Sequence, residues 1–212
     1  MGAERRTVGR ATRDETDETT RRLLELAAEE FIERGHELAR VSDIARRAGL
    51  TTGAVYGRWP HKTDVMVAAL DHIFEQILPE RRLKGEGADT MKPPDMMERL
   101  GDSLLSMDER RDVLVQVFGS ARNNDAIRER LQEFLDEEAR QLGHVIEEGK
   151  EAGFCDPAYS TAAITFLSQA LGIGAHLLLA GGLDESYIPS DGDWNTLLLS
   201  IINAVGSPPP RP

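Results

Sequence analysis

The chain has 212 residues, 40% hydrophobic and 29% charged, enough apolar side chain to close a core and to exclude disorder throughout. Its formal net charge of −12 argues, taken alone, against a polyanionic partner. A single cysteine, Cys155, excludes an internal disulfide and leaves no CxxC or Cys/His cluster for a metal, a usage that fits a reducing cytoplasm.

The first stretch, MGAERRTVGRATRDETDETT, lacks the apolar core of a signal peptide, and residues 1–16 read as a disordered basic arm. Its Arg5, Arg6, Arg10 and Arg13 suit either a minor-groove arm or a solvated tail. Leu23, Leu24, Ala27, Phe31 and Ile32 then recur at helical spacing, predicting a helix from Asp17 to Arg34 that stops at Gly35. A short helix from Ser42 to Ala48 buries Val41, Ile44, Ala45 and Ala48, and breaks at Gly49. Thr51 offers an N-cap hydroxyl to a third helix, Thr52 to Trp59.

Plotted at 100° per residue, this third helix turns Val55 and Trp59 inward, with Tyr56 at the edge of that face. Its outer side carries Gly53, Ala54 and Gly57, with Arg58 at the other edge. A solvated face of glycine and alanine is poor helix design, because each internal glycine costs about 1 kcal/mol relative to alanine. A close neighbour would explain it, and a DNA major groove, about 12 Å wide, accepts such a helix. The charge distribution agrees. Residues 1–63 carry net +1 and residues 64–212 net −13, while Arg40 to Lys62 holds five cations against Asp43 alone. An ordinary αα-hairpin in a bundle is the alternative, and the local charge and bare face favour a helix-turn-helix over it.

DIARRAGLTTGAVYGRWPHKTDVMVAAL resembles the N-terminal signature of TetR-type transcriptional regulators, over roughly Arg21 to Leu70. The likeness lies in Val41, Ile44 and Ala45, the Ala48-Gly49 turn, the Val55-Tyr56 pair, Trp59 and Lys62. Arg40 and His61 stand where small capping residues are usual, and Gly57 where a larger side chain is. The resemblance implies that Tyr56 and Lys62 hold operator phosphates, with Ser42 a further phosphate contact. It also implies that Thr52, Gly53, Ala54 and Arg58 face bases or backbone. Thr51 joins these DNA-binding candidates, since threonine methyls, like Ala54, can pack on thymine methyls.

Beyond Lys62 the pattern predicts a connecting helix, Thr63 to Leu83, striped by Val65, Met66, Ala69, Leu70, Ile73 and Ile77. KGEGADTMKPPD reads as loop, and helices follow at Pro94 to Met107, Glu109 to Ala121, Asp125 to Ala152, Tyr159 to Ala180 and Asp191 to Val205. Ser190, with Asp193 three residues on, offers a cap to the last of these. The expected fold is all-α with about nine helices: a helix-turn-helix domain over 17–62, a helical effector-binding and dimerisation domain over 63–206, and a disordered tail, 207–212. Leu177 to Ala180 with its flanks reads as too short and glycine-broken to span a bilayer, so no membrane partner is expected.

ITFLSQALGIGAHLLLAGG is apolar nearly all round, which requires burial on more than one side. Gly172, Gly174 and Ala175 would allow close approach of a second helix, either inside one chain or from a partner. The resemblance implies a homodimer through Tyr159–Ala180 and Asp191–Val205, the final helix contributing Trp194, Leu197, Leu198, Ile201, Ile202 and Val205. A two-fold dimer would take an inverted-repeat operator on double-stranded DNA. The expected function is a repressor released by a small effector, for which the thioether, aromatic and amide groups of the candidate residues would suit a largely hydrophobic molecule. Candidate effector residues are Phe74, Met107, Gln116, Phe118, Phe166 and Gln169, near Met96 and Met97, with core packing the default reading of each. His144 and His176 are lone helical histidines. No paired Glu-x-x-His motif, Gly-rich phosphate loop or nucleophile elbow marks an enzyme, and no cofactor or metal is expected. A helical adaptor binding only proteins would leave the basic, bare-faced helix unexplained.

Overall fold

The computed structural model describes residues 13–84, 90–102, 105 and 109–206. Among these, ten α-helices, a 3-10 turn at Glu185–Tyr187 and an isolated bridge between Cys155 and Gly206 make up the regular structure. The chain divides into two compact units at His72–Ile73, ten residues beyond the expected boundary. The arginines Arg5, Arg6 and Arg10 and the tail 207–212 lie outside the described residues.

In the first unit, α1 (Arg13–Leu38) buries Leu23, Ala27 and Phe31, one stripe four residues apart. Its helical geometry is interrupted where the sequence places a stop: Gly35 has φ 65° and ψ 172°, a conformation that a Cβ would strain. Next, α2 (Val41–Arg47) turns Val41, Ile44 and Ala45 inward. It ends in a paired C-terminal motif, in which Leu50 N–H donates to Ala45 O at 2.8 Å and Gly49 N–H to Arg46 O at 3.2 Å. Gly49 has φ 70°, as that motif requires of the residue after the cap.

Thr51 caps α3 (Thr52–Tyr56), its hydroxyl accepting from Ala54 N–H at 3.1 Å. The helix ends at Tyr56 with Gly57 as its C-cap, short of the expected Trp59, where Pro60 in any case disfavours helical geometry. α4 (Lys62–Ile77) follows, burying Val65, Met66, Ala69 and Leu70 before the division and Ile73, Phe74 and Ile77 after it. The expected single helix to Leu83 is instead broken at Leu78, which is extended at φ −60° and ψ 147°. The cause is Pro79, which lacks an N–H, clashes with a preceding helical turn and opens α5 (Pro79–Leu83) as its first residue.

The second unit contains α5, α6 (Pro93–Asp102), α7 (Glu109–Ala121), α8 (Asp125–Glu151), α9 (Thr161–Ala180) and α10 (Asp191–Ala204). α8 packs on α6, α7 and α9, and α10 packs on α6. Asn124, Ser160 and Ser190 cap α8, α9 and α10 with side-chain oxygens. The expected helix from Pro94 to Met107 ends at Asp102, Leu105 lies in a turn, and Met107 falls outside the described residues. Glycines do not break α9. It runs unbroken for 20 residues, so the expected shortness does not hold, and it is long and apolar enough to cross a membrane by length and composition only. Only 17% of that apolar window is buried within the chain.

Candidate nucleic-acid interface

The hairpin of α2 and α3 is fixed from beneath by Ile44 and Val55, both fully buried, which leaves the other side of α3 outward. Thr51, Gly53, Ala54, Tyr56, Gly57 and Arg58 are exposed, as is Ser42 on α2, while Thr52 and Lys62 are half-buried. Tyr56 shows 40% of its surface. A Cβ built on Gly53 would find nothing nearer than Thr51 Oγ1, at 4.0 Å. Nothing inside the chain therefore requires glycine at that position.

The cations around this surface are held in place by local partners. Lys62 Nζ donates to the Glu37 carbonyl at 2.9 Å, tying the start of α4 to the end of α1. An ammonium has three donors, so two remain for other acceptors. Arg58 donates one of its five N–H groups to Thr20 Oγ1, at 3.1 Å. Arg46 pairs with Asp43 at 3.2 Å, and Arg47 with Glu29. Behind Lys62, His36 sets Nε2 3.2 Å from Thr63 Oγ1. Burial, and then the Lys62 ammonium, hold its imidazole below the ordinary 6.5, while Glu37 acts in the opposite sense.

Two acids escape a sequence reading of this site. Glu30, 2% exposed, accepts from Arg40 N–H and from Arg34 Nε, each at 3.2 Å. Asp64 accepts from His61 N–H at 2.9 Å, the backward half of a capping box. The signal for Glu30 was a carboxylate on the Leu23–Ala27–Phe31 stripe, where burial demands a partner.

The effector candidates differ in burial and in partners. Phe74 is fully buried, stacked on Phe134 with centroids 4.2 Å apart and the Arg130 guanidinium 5.3 Å over its ring. Phe166 is 74% exposed. Gln169 donates to Leu135 O at 2.9 Å and is thereby committed to α8. Gln116 and Phe118 are half-buried on α7, and Met96 and Met97 pack against Leu83, Leu100, Leu142 and Val145. A cavity of about 300 Å³ lies elsewhere in this unit, lined by α9 residues including Gly174, Ala175 and Leu178, by Leu183 and Tyr187, and by Trp194 of α10. Among the described residues its lining holds no charged side chain, and none of the described candidates takes part. No group of three or more His, Cys, Asp or Glu with metal-binding geometry occurs among the described residues.

Comparison with known proteins agrees with this geometry. The profile of bacterial regulatory proteins, tetR family, matches residues 23–69, the span from the α1 stripe to the buried part of α4. The HTH-type transcriptional regulator TtgR of Pseudomonas putida is 36% identical over 66 residues, 31% of this chain and 31% of that protein. The alignment thus spans about a third of that curated relative's length. A TetR-family regulator from Rhodococcus sp. superposes with TM-score 0.74 at 22% identity, covering 90% of this chain and all of the other. A regulator from Saccharomonospora viridis, crystallised in complex with choline, gives TM-score 0.73 at 21% identity over 90% of this chain and 98% of the other. Residues 23–69 thus carry the N-terminal helix-turn-helix domain of the tetR family of bacterial regulatory proteins, and the all-helical fold of the chain is similar to that of solved TetR-family regulators.

Proposed function

We propose that this chain is a cytoplasmic, homodimeric repressor that binds an inverted-repeat operator through the α2–α3 hairpin and leaves it when a small, largely hydrophobic molecule binds the second unit. The observation that carries the DNA half is the outer face of α3, where Gly53 and Ala54 are exposed between Tyr56 and Arg58 with open space over the glycine. In this reading Tyr56, Lys62 and Ser42 hold phosphates and set register, while Thr51, Thr52, Gly53, Ala54 and Arg58 meet bases or backbone. Domains over 17–62 and 63–206 divide these tasks, and the chain performs no catalysis.

Pairing through α9 and α10 is supported by exposed Phe166, Leu167, Leu178, Leu197 and Leu199 on two helices with little of their apolar surface covered by the chain. Such a face needs a neighbour. The effector class is supported by the cavity beside α9, which has no charged side chain among its described lining residues and whose volume of about 300 Å³ sits at the lower end of small-molecule sites. A structural neighbour that holds choline makes a small-molecule effector reasonable.

Lys62→Ala tests the DNA reading. It should weaken binding to every duplex and reduce the slope of log affinity against log salt by about 0.9 per protomer. A slope equal to that of the wild type removes Lys62 from the interface.

A further inference from the structure

We infer that Arg40 is an additional phosphate-contact residue, standing where a capping hydroxyl would ordinarily stand, and that Glu30 secures the backbone there in its place. The inference rests on the DNA-binding reading and adds a residue to it. Of the five cations from Arg40 to Lys62, four have partners inside the chain: Arg46 with Asp43, Arg47 with Glu29, Arg58 with Thr20 and Lys62 with the Glu37 carbonyl. Arg40 is exposed and makes no side-chain capping bond, and its guanidinium has no partner among the described residues.

Arginine is a poor choice at this position on local grounds. It is the N-cap residue of α2, with φ −124° and ψ 119°, and a guanidinium carries no acceptor for the first N–H groups of a helix. Nor does the third helical residue, Asp43, reach back to the N-cap N–H as it would in a capping box, since that N–H is bound elsewhere and Asp43 pairs with Arg46. The task falls to Glu30, ten residues away on α1 and 2% exposed, whose carboxylate takes Arg40 N–H at 3.2 Å. Arg34 Nε, also at 3.2 Å, gives the buried charge its counter-ion. A buried carboxylate thus fixes the start of α2 through the backbone alone and leaves the Arg40 side chain unused within the fold.

That side chain has a use outside it. In a helix-turn-helix the first helix crosses the DNA backbone while the second enters the groove. A guanidinium at the start of that helix can form paired hydrogen bonds to a phosphate, which a capping serine cannot. In a chain of net charge −12, an uncommitted cation on the reading hairpin adds to attraction where the rest of the molecule repels.

The experiment compares the full-length wild type with Arg40→Ser, Arg40→Lys, Glu30→Leu and the double variant Glu30→Leu/Arg40→Ser. Each is titrated against a labelled duplex of arbitrary sequence at several salt concentrations, and each is melted without DNA. Arg40→Ser should reduce the salt slope by about 0.9 per protomer, and Arg40→Lys should restore it. Glu30→Leu should lower the melting temperature both alone and in the double variant, because a serine hydroxyl at position 40 accepts from the N–H of Ser42 or Asp43 and cannot take over the N–H of residue 40 that Glu30 holds. An unchanged salt slope in Arg40→Ser overturns the phosphate contact, and an unchanged melting temperature in Glu30→Leu overturns the role of Glu30. If the wild type binds no duplex at any salt concentration, the DNA-binding reading itself fails.

Discussion

Gly53 separates the demands of folding from those of a partner. A methyl group there meets only open space, so Gly53→Ala should leave the protein as stable or raise stability by up to about 0.5 kcal/mol, since alanine restricts the unfolded chain. The same substitution should weaken DNA binding if the bare face is kept for close approach. Melting and DNA titration of one variant check both signs, and a gain in stability with no loss of affinity would contradict the role given to α3. His36 yields a pH prediction. Its folded value lies below the ordinary 6.5, so as pH falls the unfolded chain takes up the proton first. Stabilisation by the neutral ring is complete above about pH 6.5 and is lost as pH falls through the folded value. His36→Gln should flatten that acid-side loss in thermal melts, and an unaltered profile would show that His36 does not set it. Single residues were the least legible part of the sequence. Thr51 and Ser190 announced their caps because a cap acts three residues away, whereas Glu30 acts across ten residues and between helices.

Helix-level behaviour depends on what each helix meets. Gly101 on α6 lies where a Cβ would sit 2.0 Å from Leu198 Cδ2 and 3.1 Å from Cγ, so α6 and α10 approach closely there. Gly143 on α8 has Thr165 Oγ1 at 3.7 Å as its nearest neighbour, which is ordinary contact. Both are helical, so propensity alone favours alanine at each. The account predicts opposite signs: Gly143→Ala should stabilise by about 0.5 to 1 kcal/mol, and Gly101→Ala should destabilise by about 1 to 3 kcal/mol as Leu198 is displaced. Urea denaturation midpoints at constant slope decide it, and equal shifts would place the close approach of α6 and α10 in error. The all-helical fold and the extents of α7 and α8 followed from apolar spacing and turn residues. The break at Leu78 does not follow from apolar spacing, because Leu78 and Leu83 continue the apolar run on either side of Pro79 and only the proline marks the interruption. Spacing also fails to tell which neighbour a face meets. Phe74 and Phe166 read alike as aromatic residues on helices, yet one is sealed against Phe134 and the other lies bare.

For the whole molecule the governing quantity is charge. Two copies at −12 repel, and α9 carries no Asp, Glu, Lys or Arg along its 20 residues, so it offers contact without that cost. Screening should therefore strengthen the dimer as salt rises while weakening DNA binding, two opposite salt dependences in one protein. Gly174→Leu separates pairing from folding. A Cβ there meets nothing within 4 Å in the protomer, so stability of the isolated chain should hold while sedimentation shows a weaker dimer. A dimer of unchanged affinity in both Gly174→Leu and Phe166→Asp would remove α9 from the interface.

The central claim is that the α2–α3 hairpin reads DNA as one half of a two-fold pair. Selection of bound duplexes from a random-sequence library, followed by footprinting of the enriched sequence, tests it without knowledge of the target. The account predicts an inverted repeat with half-site centres one helical turn, about 34 Å, or a multiple of it apart, and loss of enrichment on replacing Tyr56 and Lys62 by alanine. Recovery of no common sequence, or of one that the double variant enriches equally well, would contradict it.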